Sequence, residues 1–129
     1  LTDVKALFKE NYNQYKLMHM IIDKYIIDGT SYSTLQDKIS NDEICLEIKL
    51  ISLSNLIILE IEKILKKYQI QVNNFLDKGY VKDFFLDKQI DISKMAHKLK
   101  NGMNHNEVRI TSKSPKKLSF FEKFFQLFS

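Results

Sequence analysis

Apolar positions along this chain recur at two spacings, about two residues and about 3.6, and the changes between them divide it into short elements. Val4, Leu7, Phe8 and Tyr12 share one helical face, with Thr2 or Asp3 available as a cap, so a first helix is expected over residues 3–12. Residues 17–27 are too continuously apolar and too β-branched for an exposed helix; they predict a strand, closed by the Asp28-Gly29 turn signal. A polar connection over residues 29–42 leads to residues 43–53. There Ile44, Leu46, Ile48 and Leu50 alternate with Cys45, Glu47 and Lys49, the pattern of an antiparallel strand with one wetter face.

Ser54 or Asn55 can cap a helix over residues 56–68, with Ile57, Ile61, Ile64, Leu65 and Tyr68 as its core stripe and Glu60, Glu62, Lys63, Lys66 and Lys67 opposite. Residues 70–76 read as a further strand, and Val81, Phe84 and Phe85 as a short helical turn after Gly79. Ile92, Met95, Ala96 and Leu99 predict a helix over residues 91–101, ended by Asn101-Gly102, and residues 108–110 a last short strand. The expected class is α+β: a small sheet of about three strands with helices packed on one face, plus a C-terminal amphipathic helix. Residues 1–112 form the expected interaction domain and residues 113–129 a basic linker and helix.

That C-terminal stretch concentrates five of the nine phenylalanines between Phe120 and Phe128. At 100° per residue, Leu118, Phe120, Phe121, Phe124, Phe125, Leu127 and Phe128 fall on one half of a helix, and Ser119, Glu122, Lys123, Gln126 and Ser129 on the other. Such a helix, flanked by Lys116 and Lys117 and carrying Lys123, suits the headgroup plane of an anionic membrane, where each lysine contributes about 1 kcal/mol. It is too short to span, since crossing takes about 20 apolar residues. The same stripe also suits closing the core of this domain or of a neighbour, and the lysines tip the reading slightly towards the membrane.

Composition narrows the chemistry. At 129 residues one domain or less is expected, and the net charge of +4 is carried by lysine; of twenty basic residues only Arg109 is arginine. Without arginine forks, specific nucleic-acid binding is not expected. The single cysteine, Cys45, can form no intramolecular disulfide and is expected to be a buried thiol in a reducing compartment. No charged leader with an apolar core opens the chain, so no secretory signal is expected, and a start at Leu1 suits a processed product or a fragment.

His19, His97 and His105 have no ligand spacing and no thiolate cluster, and no nucleophile sits in a recognisable elbow. No metal, cofactor or catalytic residue is expected. His19, in an apolar strand, is expected to be a hydrogen-bonded core residue. Three scattered glycines, Gly29, Gly79 and Gly102, cannot assemble a phosphate cradle.

The order of motifs resembles FtsA, the actin-like bacterial protein that ties the division ring to the membrane. A histidine-bearing strand, Met18-His19-Met20, leads to the Tyr25-Ile-Ile-Asp28-Gly29 turn. A Leu46-Glu47-Ile48-Lys49-Leu50 strand, a helix over residues 55–68 and Ile70-Gln71-Val72 follow, and a helix over residues 94–99 precedes Val108-Arg109-Ile110. The basic stretch and amphipathic tail are similar to that family's membrane-targeting end. The resemblance covers the family's small extra subdomain and the anchor, not the ATPase lobes, so ATP binding is not carried over. It implies a non-enzymatic cytoplasmic adaptor that binds a divisome partner and sits at the inner face of the cell membrane. The alternative is a structural homo-oligomeric domain whose C-terminal helix packs in its own or a neighbour's core.

Overall fold

A computed structural model describes residues 1–37, 43–85 and 91–109. Within them the chain runs α1 (Thr2–Asn11), β1 (Tyr15–Ile27), β2 (Thr30–Tyr32), β3 (Ile44–Ser54), α2 (Asn55–Lys66), α3 (Lys78–Phe84) and α4 (Ile92–Lys100). The class is α+β, with an antiparallel sheet in the order β2-β1-β3. The expected C-terminal helix lies outside the described residues.

Asp28 and Gly29 both take positive φ, 50° and 75°, and join Ile27 to Thr30 as a two-residue hairpin. Turns of this primed kind match the twist of the strands they connect, and Asp-Gly is among the sequences that tolerate them. β1 is central and carries two irregularities, between Leu17 and His19 and between Ile22 and Lys24. Each places one extra residue in β1 opposite an unbroken β3. Beside β2, the same edge of β1 accepts residues 106–108: Ile22 N–H donates to Asn106 O (2.9 Å) and Val108 N–H to Met20 O (2.8 Å).

Ile21 packs with Tyr80 and Val81 of α3 and Met95 and Leu99 of α4, with Ile51, Leu76, Phe85 and Ala96 around them. Met20 and Ile22, which alternate to the other side of the strand, are buried as well. Asp77 caps α3 by accepting Tyr80 N–H (2.7 Å), and Asp91 caps α4 by accepting Ser93 N–H (2.9 Å). α4 closes on Gly102 at φ 89°, with Gly102 N–H to Leu99 O and Met103 N–H to Lys98 O, the paired bonds of a glycine C-cap. α2 closes the same way on Gln69 at φ 59°.

Three expectations change. Residues 70–76 are not a strand: Asn73 and Asn74 favour turns, and Leu76 joins the core while its neighbours pair with no strand. The third strand is instead Thr30–Tyr32, within the stretch read as a polar connection. Cys45 is exposed, because it shares the wetter face of β3 with Glu47 and Lys49. Of residues 108–110, Val108 bonds to β1 beside a single bridge at Glu107, and Ile110 lies outside the described residues.

Candidate functional site

Among the described residues both buried polar side chains, His19 and Asn104, lie where β1, α3 and residues 104–109 meet. His19 is 5% exposed. Its Nε2 lies 3.0 Å from the Asp77 amide nitrogen, and a backbone N–H can only donate, so Nε2 accepts. The ring proton therefore sits on Nδ1, which donates to Glu107 Oε1 at 2.8 Å. Tyr80 donates its hydroxyl to Glu107 Oε2 (3.1 Å) and accepts Asn104 Nδ2 (2.8 Å), with its ring tilted against that of His19. Asn104 Oδ1 accepts Asn106 N–H (2.9 Å). Asn106 accepts the Tyr25 hydroxyl (3.1 Å) and donates to Ser33 O (2.8 Å), tying the network to the β2 end of the sheet.

Burial pushes the Glu107 carboxyl up, but the hydrogen bond from His19 Nδ1–H, the charge of the Arg109 guanidinium and the Tyr80 hydroxyl more than offset it and hold the carboxyl below its ordinary value. Burial raises the Tyr80 phenol to about 12, with the Glu107 carboxylate reinforcing burial and the Asn104 hydrogen bond and the Arg109 charge opposing it. Arg109 also donates to the carbonyls of Leu99 and Lys100, covering the open C-terminal end of α4.

A cleft of about 220 Å³ opens beside this network, with Lys100, Arg109 and residues 74–76 on its walls. Chemically the network is closed: both His19 nitrogens are engaged, Tyr80 keeps its proton at neutral pH, and each oxygen of Glu107 accepts a hydrogen bond. Among the described residues, no group of three or more His, Cys, Asp or Glu is placed to hold a metal ion. His19 is thus a hydrogen-bonded core residue, as its apolar strand suggested. Glu107, Tyr80, Asn104 and Asp77 were not singled out in the sequence. The local signal for Asn104 and Glu107 is the polar run Asn104-His-Asn-Glu107, which carries no periodicity, and that for Asp77 is its place as a cap before residues 78–84.

A different surface stands open on α2. Ile58, Ile61 and Leu65 face inward, whereas Ile57 and Ile64 are about half exposed and Leu56 and Tyr68 are 73% and 72% exposed. Leu59, at 60%, extends the apolar surface on the far flank of the helix. The expected core stripe therefore divides, because the helix is rotated to bury Ile58 and only Ile61 and Leu65 of that stripe follow it.

The expected membrane-binding residues Lys116, Lys117, Leu118, Phe120, Phe121, Lys123, Phe124, Phe125, Leu127 and Phe128 lie outside the described residues. Among the described residues no helix is long and apolar enough to cross a membrane. No protein family, curated protein or solved structure matches the chain.

Proposed function

We propose that this chain is a non-enzymatic adaptor of the FtsA-like kind. Its globular part binds a protein of the bacterial division machinery through the uncovered face of α2, and its lysine- and phenylalanine-rich C-terminal stretch attaches it to the cytoplasmic face of the membrane. The observation that carries this reading is the group of large apolar side chains left exposed along one flank of α2, Ile57, Ile64 and Tyr68, with Leu56 at its N-terminal end. Large apolar side chains left uncovered together mark interaction sites in soluble proteins. The inward-turned network around His19 favours a binding role over catalysis, and the one-sided phenylalanine stripe after Lys117 supports attachment to lipid.

Co-sedimentation with anionic liposomes tests the attachment, comparing the full chain, a chain ending at Ser114, and Phe121→Glu with Phe125→Glu. The full chain should pellet, and both variants should stay in the supernatant with unchanged unfolding midpoints. A truncated chain with a lowered midpoint would mean that the stretch packs on protein instead. In bacteria, a fluorescent fusion should form a midcell band that Leu56→Glu with Ile64→Glu disperses. Uniform membrane fluorescence of the unmutated fusion would remove the division assignment.

A further inference from the structure

We infer that the outer edge of β3 is a self-association surface, pairing antiparallel with β3 of a second copy in the register that sets Glu47 of each copy opposite Lys49 of the other. β3 ends the sheet order, and all eleven of its residues lie along β1. Among the described residues no backbone hydrogen bond reaches its other side. Edge strands are ordinarily blunted by proline, by bulges or by inconvenient charge. β3 contains no proline or glycine, and both irregularities of the β1–β3 pair put their extra residue in β1, so the edge is long and regular.

Its charge pattern selects a partner. The strand Ile44–Ser54 holds one acid and one base, Glu47 and Lys49, on the same face and two positions apart. A two-fold axis at Ile48 pairs Glu47 with Lys49 twice, Leu46 with Leu50 twice, and Ile48 with itself. Moving the axis to Glu47 or to Lys49 sets like charges opposite each other, and a slip by a single residue sets charges against apolar side chains. Only the Ile48-centred register among these satisfies both faces, and it needs no second protein to supply complementary charge. Lys24 Nζ holds Glu47 Oε2 at 2.8 Å, which leaves Oε1 for the second copy. Leu50, 36% exposed, gains cover from Leu46 of the second copy.

The test is sedimentation equilibrium of the full chain over a concentration series. Lys49→Glu sets two carboxylate pairs face to face and should raise the dimer dissociation constant roughly thirtyfold. Adding Glu47→Lys to it restores opposite charges and should recover most of that loss. In a Cys45→Ser background, Ile48→Cys should give a disulfide-linked dimer on mild oxidation. The native Cys45 pair should not, being about 20 Å apart at six residues of strand rise. A chain that stays monomeric throughout, a dimer insensitive to Lys49→Glu, or a charge swap that fails to restore association would each overturn the proposal.

Discussion

Tyr80 shows how far one side chain ties the polar interior to solution pH. Its phenol has an ordinary value of 10.0 and is raised in the fold to about 12, chiefly by burial. Below pH 10 folded and unfolded chains both carry the phenol proton, and the full stability is present. Between about 10 and about 12 the unfolded chain gives up that proton while the folded chain keeps it, so stability falls as pH rises. Two pH units across that window correspond to at most roughly 3 kcal/mol, less the part that solvent screens at the phenol. Tyr80→Phe should flatten this alkaline limb in denaturant titrations. It should also cost about 1–3 kcal/mol at neutral pH, because Asn104 Nδ2 loses its acceptor and Glu107 Oε2 a donor. Tyr25, raised by burial as well, keeps a residual slope in the variant.

Among the elements, α2 separates what holds the fold from what is offered outward. Ile58 is its one buried residue, so Ile58→Ala should cost about 3 kcal/mol in urea unfolding. Leu56→Glu, on a side chain 73% exposed, should change stability by no more than about 0.5 kcal/mol. Comparable losses from both would mean that Leu56 is covered in solution. The helix itself was legible from Ser54, whose hydroxyl accepts Leu56 N–H at 3.3 Å, and from the 3.6-residue period. Its rotation was not, because Ile57, Ile58, Ile61, Ile64 and Leu65 are all apolar and several faces score alike. β1 and β3 were legible for a related reason: β-branched runs and strict alternation are local signals, and the Asp28-Gly29 turn fixes its own backbone. Residues 70–76 misled through β-propensity alone, since whether an apolar segment pairs in a sheet or packs as irregular chain is decided by tertiary contacts, here Leu76 in the core, that no local pattern carries. The edge of β1 was taken by Thr30–Tyr32 and residues 106–108. The polar cluster was legible only at His19, since Glu107 meets it from 88 positions away.

For the whole molecule, residues 104–109 act as the fastening that makes one unit of the sheet and its C-terminal helices. They bond to the β1 backbone on both sides of Ile21, to α3 through Tyr80, to the end of α4 through Arg109, and to the β2 end through Asn106. Glu107 is the acceptor on which this fastening converges. Glu107→Ala leaves His19 Nδ1–H and the Tyr80 hydroxyl without their acceptor and should lower global stability by about 3 kcal/mol. The loss should also appear as faster exchange of the Ile22 and Val108 amides, which bridge this segment to β1. Exchange that accelerates at Val108 alone would mean that the segment opens independently of the sheet. Because the folded carboxyl lies below its ordinary value, its contribution is complete above the unfolded value and is lost as pH falls through the folded one. Glu107→Gln, which keeps one acceptor oxygen and cannot ionise, should remain folded while flattening that acid limb. A purely steric role for the side chain predicts the same acid limb in Glu107→Gln as in the unmutated chain.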